Sequence, residues 1–182
     1  MIQTVVMILM AAGFALGAEL VDSSGAVVGY ATVFDKGSGL VLKLTAEHLP
    51  VGWHAMHIHT NGDCSDYTQG FLSSGPHFNP HNTAHGVYDK QGYHAGDLAN
   101  IFVGESGSVQ IEQIVPGMTA SDYRRFFQDR GAALILHQNP DDYLSQPAGD
   151  AGGRIACAVL PAANKLDPQS TQKEKKALQE EG

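Results

Sequence analysis

From residue 19 to 49 the chain alternates short apolar, β-branched runs with turn formers. Residues 26–34 (AVVGYATVF) and 40–44 (LVLKL) read as the strands of a hairpin, set off by Gly25 and by the glycine-bearing stretch 36–39. Residues 53–59 (WHAMHIH) alternate and predict another strand. The pattern then stops. From 60 to 96 the chain is rich in Gly, Pro, Asn, Ser and His and has little periodicity. A loop this long inside a domain is usually there for function. Strands resume at 98–103, 108–115 and 132–137, a second long loop covers 138–153, and 154–160 (RIACAVL) predicts a last strand that closes the core. Residues 121–128 (SDYRRFFQ) read as one helical turn or a loop.

Composition agrees with this pattern. Twenty-one glycines and only 8% aromatic residues suit a turn-rich β protein better than a helical bundle. With 43% hydrophobic residues in 182, the chain can bury one core. The ends differ from the middle. Residues 1–18 (MIQTVVMILMAAGFALGA) carry no charged side chain, are short for a membrane span and finish in small residues. They read as a secretory signal cut near Gly17 or Ala18, although no Lys or Arg stands near the start. No Cys lies there, so a lipid anchor is not supported. Residues 19–160 then form the domain, and 161–182 form a polar, charged tail, disordered or marginally helical. A formal charge of −8 without a basic patch argues against a nucleic-acid partner. Cys64 and Cys157 leave two free thiols or one disulfide open, and export favours the disulfide.

The chemistry lies in the histidines. Of nine, seven fall between Thr45 and Asp89, an interval with no Lys or Arg. Imidazoles without other bases suggest metal ligands. His57 and His59, two apart on a strand, point to one face. His77, His85, His94 and Asp97 offer three imidazoles and a carboxylate, the donor set of a closed tetrahedral zinc site. His137, at a strand end, could fold back to His57 and His59 in an all-imidazole site of the kind that favours copper.

At this point the residues resemble the copper–zinc superoxide dismutase family over about 19–160. The matching strings, in the family's order, are GWHAMHIH (52–59), GPHFNP (75–80), AHG (84–86), HAGDL (94–98), LILH (134–137) and GGRIAC (152–157). With the strand pattern, the resemblance implies an antiparallel Greek-key β-barrel or flattened sandwich of about eight strands, its site outside the barrel under two long loops. It implies copper on His57, His59, His77 and His137, and zinc on His77, His85, His94 and Asp97. His77 would bridge the metals as an imidazolate and relay a proton. Arg154 would dock the anionic substrate, superoxide, which is dismutated to oxygen and hydrogen peroxide. Asp141 would link His57 to His85 from the outer shell, and Cys64 would pair with Cys157. His54 would bond loop backbone at the barrel rim. The second loop, whose charges are Asp141, Asp142 and Asp150 before Arg154, looks more like bacterial members, which are monomers or homodimers. No membrane association is expected once the signal is removed.

His48 and His81 are expected at the surface, and Asp63, Asp66 and Asp142 to be solvated rather than ligating. Two rivals fit less well. A copper carrier that has lost turnover would lack a copper histidine or the arginine. A copper-only enzyme would lack His85, His94 and Asp97.

Overall fold

The strands form where side chains alternate between an apolar interior and an outer face. The computed structural model describes residues 17–35, 39–128 and 130–161. The expected signal, apart from Gly17 and Ala18, and the expected tail beyond Pro161 lie outside the described residues. Nine strands are present among the described residues: β1 Ala18–Asp22, β2 Val27–Asp35, β3 Leu40–Ala46, β4 Gly52–His54, β5 Met56–His59, β6 Ile101–Val103, β7 Val109–Ile114, β8 Ala132–His137 and β9 Arg154–Leu160. In β3, Leu40, Leu42, Leu44 and Ala46 are buried, while Val41, Lys43 and Thr45 turn outward. Full burial of each leucine contributes about 1.5–3 kcal/mol.

All pairings are antiparallel. A seven-stranded sheet runs β5-β8-β9-β1-β2-β3-β7, and β4 pairs with β6 in a two-stranded sheet. The connection from β7 to β8 crosses from one edge of the large sheet towards the other, giving the Greek-key order. It carries the helix α1, Ala120–Phe126, the first of the two forms, one helical turn or a loop, that the sequence allowed at 121–128. A capping box starts this helix: the Thr119 side chain accepts from the Asp122 N–H, and the Asp122 carboxylate accepts from the Thr119 N–H. Tyr123 anchors it, fully buried, with its hydroxyl donating to Pro161 O at 2.7 Å.

One expected strand is two. The run 53–59 breaks at Ala55, whose N–H donates to Asn139 O (2.8 Å) while its carbonyl accepts from His137 N–H (2.9 Å). The chain there leaves β6 as its partner and joins β8. Both β5 and β8 are buried on both faces. Met56, Ile58, Ala132, Leu134 and Leu136 face the main core. On the other face, Ala133 and Ile135 pack with Phe71 and Cys157 in a second cluster. Cys64 and Cys157 are joined by a disulfide with a Cα–Cα separation of 5.8 Å, as the resemblance implies.

Candidate metal centre

The outer face of β5 presents His57 and His59, and the first long loop is laid along it like an additional strand. Ile58 N–H donates to Gly96 O (2.9 Å), Phe78 N–H donates to Ile58 O (2.8 Å), and bridges pair His57 with Asp97 and His59 with His77. A Cβ at Gly96 would run into Ile58 O, so this close approach requires glycine there. On the far side, β8 delivers His137, paired across to Arg154 on β9.

Two donor clusters result, both buried: His57, His59, His77 and His137, and His77, His85, His94 and Asp97. Within each, the ligand atoms all lie within 4.8 Å of one another. The hydrogen bonds at the backs of the rings decide which nitrogens remain. His57 Nε2 meets Asp141 Oδ2 (2.8 Å), His59 Nδ1 meets Gly75 O (2.7 Å) and His137 Nδ1 meets Gly152 O (3.2 Å). Their opposite nitrogens, His57 Nδ1, His59 Nε2 and His137 Nε2, are buried with no hydrogen-bond partner among the described residues. Orphaned buried polar atoms are costly, and three converging on one place make a site that a cation would satisfy.

The second cluster is tighter. His77 Nδ1 lies 3.0 Å and His94 Nδ1 3.2 Å from Asp97 Oδ1, the two imidazole nitrogens are 3.5 Å apart, and His85 Nδ1 is 3.0 Å from Asp97 Oδ2. Four donors about 2.0 Å from one tetrahedral ion would stand about 3.3 Å from each other, so these edges fit zinc. Asp97 Oδ2 also accepts from the Gly86 and His94 N–H groups, which fixes its plane. Asp141 lies behind both clusters, holding His57 through Oδ2 and His85 Nε2 through Oδ1 (3.0 Å).

Charge follows from this packing. Burial lowers His77 to about 4 against its Asp97 hydrogen bond, and burial with repulsion from His57 lowers His137 to about 3. Burial, then His77, holds His59 well below the usual histidine range. These rings are therefore neutral at pH 7, the form that ligates metal. Burial would raise Asp97, but hydrogen bonds from His77, His85 and His94 hold it far below the usual carboxylate range. Asp141 is lowered in the same way by His57 and His85. On His85, burial opposes charge, yet Asp141 and Asp97 outweigh it and raise its pKa to about 9.

Arg154 projects half-buried beside His137. Its Nη1 donates to Phe71 O (2.6 Å) and Ser74 Oγ (2.8 Å), and its Nη2 donates to Gly75 O (2.9 Å). The Gly75 carbonyl thus receives both Arg154 and His59. His54 lies outside both clusters, its ring nitrogens 2.9 Å from His137 O and 2.8 Å from Pro50 O. His48, His81 and Asp142 are exposed, and Asp63 turns its carboxylate to Ser65. Asp66 departs from expectation: it is half-buried, with Oδ2 accepting the Ser73 N–H at 2.9 Å, because the loop folds back over it. Asn100, Tyr143 and Gln146 were not singled out by the sequence. Asn100 brackets the Asp141 backbone with both side-chain atoms, Tyr143 Oη accepts the Asn100 N–H, and Gln146 pairs with the His85 N–H and carbonyl. These contacts span 41 to 61 residues, beyond any local pattern.

Comparison with known proteins agrees with this geometry. Residues 27–160 match the family model described as copper/zinc superoxide dismutase. The chain is 41% identical over 146 residues to superoxide dismutase (Cu-Zn) 2 of Aquifex aeolicus (strain VF5), covering 79% of this chain and 84% of that protein. It resembles the crystal structure of a superoxide dismutase-like protein from Bacillus subtilis with a TM-score of 0.72 and 34% identity, over 80% of this chain and 98% of that one. Against the Cu/Zn superoxide dismutase of Brucella abortus the TM-score is 0.64 at 27% identity, over 79% and 97% of the two chains. The family match takes in eight of the nine strands together with both donor clusters, and the chain belongs to the copper–zinc superoxide dismutase family.

Proposed function

We propose that this chain dismutates superoxide to oxygen and hydrogen peroxide, with copper held by His57, His59, His77 and His137 and zinc held by His77, His85, His94 and Asp97. The observation that carries the assignment is the set of buried imidazole nitrogens whose opposite ring atoms are already hydrogen-bonded, so each ring has a fixed donor left to offer. When bound, copper supplies a one-electron couple that serves two superoxide ions in turn, and zinc supplies fixed charge without redox chemistry. His77 belongs to both clusters, with Nδ1 on the Asp97 side, which leaves Nε2 for the other. That nitrogen is placed to hold a proton of the two that peroxide formation needs. Arg154 commits three of its five N–H donors to the loop and keeps two for an anion. Its guanidinium is aimed by strand β9 and by the carbonyls of the first long loop, so docking requires no rearrangement.

Export belongs to the same proposal. A disulfide persists in oxidising compartments, bacterial relatives carry the same family name, and β1 begins at Ala18, where the expected signal ends. The test is direct. The purified chain, loaded with copper and zinc, is expected to hold one of each and to accelerate superoxide decay by orders of magnitude. Both metals bound without decay would reject the enzymatic reading.

A further inference from the structure

The loop that holds Arg154 also carries an acid. Asp66 sits at the start of the 3-10 turn Tyr67–Gln69, and its backbone carbonyl accepts from Gln69 N–H (2.8 Å) and Phe71 N–H (3.3 Å). Its Oδ2 accepts from Ser73 N–H at 2.9 Å. These bonds hold Phe71 directly and Ser73 next to Ser74, so they flank two of the three groups that grip the guanidinium. The Phe71 backbone is left-handed (φ 57°), an unfavourable conformation for a large residue that its carbonyl's role at Arg154 accompanies. The other carboxylate oxygen, Oδ1, is buried with no hydrogen-bond partner among the described residues. A buried, half-satisfied carboxylate is expensive unless a positive charge is near. The Asp66 carboxylate supports the charge on Arg154 against the effect of burial.

We infer that Asp66 is a positioning residue that sets the anion affinity of Arg154: it braces the arginine's carbonyl cradle and subtracts from the positive field that an incoming anion meets. The inference rests on the reading of Arg154 as the anion dock. An unopposed, half-buried guanidinium would hold ambient anions as readily as a short-lived substrate. A nearby carboxylate weakens that retention while leaving two N–H donors to orient superoxide.

The two contributions separate by substitution. Asp66→Asn keeps an acceptor for Ser73 and removes the charge, whereas Asp66→Ala removes both. In the metal-loaded protein, azide titrated by visible absorption probes the site with a small monovalent anion. Both variants are expected to tighten azide by about two- to fivefold, the effect of losing one nearby charge in a largely aqueous setting. Their superoxide decay rates should fall more steeply with added salt. Only Asp66→Ala should also lower the thermal midpoint. Azide affinity and salt slope unchanged in Asp66→Asn, or azide loosened in it, overturns the charge role; tightening in Asp66→Ala alone does the same by pointing to loop rearrangement. Arg154→Gln is the reference: if it leaves azide affinity untouched, the docking reading itself falls, whereas loosening there with no change in Asp66→Asn rejects the role of Asp66 alone.

Discussion

At the scale of single residues, the centre is organised by which ring nitrogen each histidine has already spent. Asp141 decides this for two rings at once, His57 and His85, one in each cluster. Asn100 clasps its backbone, and a Cβ at Gly149 would run into its carboxylate and the His85 ring. Asp141→Asn should therefore weaken both metals together, by about ten- to a hundredfold in affinity, because an amide has one acceptor oxygen where two rings need one. Competition with a chelator measures this, and loss confined to one metal would contradict a shared support. Histidine spacing made the donors legible in the sequence: the two-residue step of His57 and His59 already places both on one face. The supports were less so. Asp66 reads as an ordinary loop acid until the chain returns over it, and nothing near Gln146 points to His85.

At the scale of elements, the strands were legible because burial on one face writes a period of two, as in β3. The break at Ala55 was not, because the alternation runs through it unchanged while the hydrogen-bond partner changes from β6 to β8. The helix was partly legible: its capping box uses Asp122 in the place usually taken by Glu or Gln. The element that couples stability to chemistry is the loop tied down by the disulfide. Cys64–Cys157 closes 93 residues of sequence and fastens that loop to β9 three residues from Arg154. Replacing both cysteines with serine should cost up to about 4–5 kcal/mol of stability by loss of chain constraint. Denaturant titration reads this, and an unchanged midpoint would show that packing of Phe71 alone holds the loop.

At the scale of the molecule, the two clusters give the metal-free protein opposed pH dependences. His77 and His137 titrate near 4 and 3 when folded, below the ordinary 6.5, so their contribution is present at neutral pH and is lost as pH falls from about 6.5. His85, raised to about 9, contributes fully below 6.5 and loses its contribution as pH rises from there to about 9. The metal-free thermal midpoint should thus peak near neutrality. A midpoint that climbs steadily from pH 7 down to pH 4 would refute this. Loading both metals should raise the midpoint by about 10 °C or more, since a ligand at a thousand times its dissociation constant adds about 4 kcal/mol.

The position of β9 has a consequence in time. It is the last strand of the sheet to leave the ribosome, yet it belongs between β8 and β1, where it links the β5-β8 pair to the run β1-β2-β3-β7. Until residue 160 is available, β8 and β1 each lack a partner on one edge, Cys64 has no thiol to meet, and the cradle of Phe71, Ser74 and Gly75 carbonyl and hydroxyl groups has no arginine to hold. Long-range pairing of this kind is slow to form. The sheet therefore cannot close before the last strand has been made. Closure of the sheet, the covalent tie and the seating of Arg154 in its loop then arrive together.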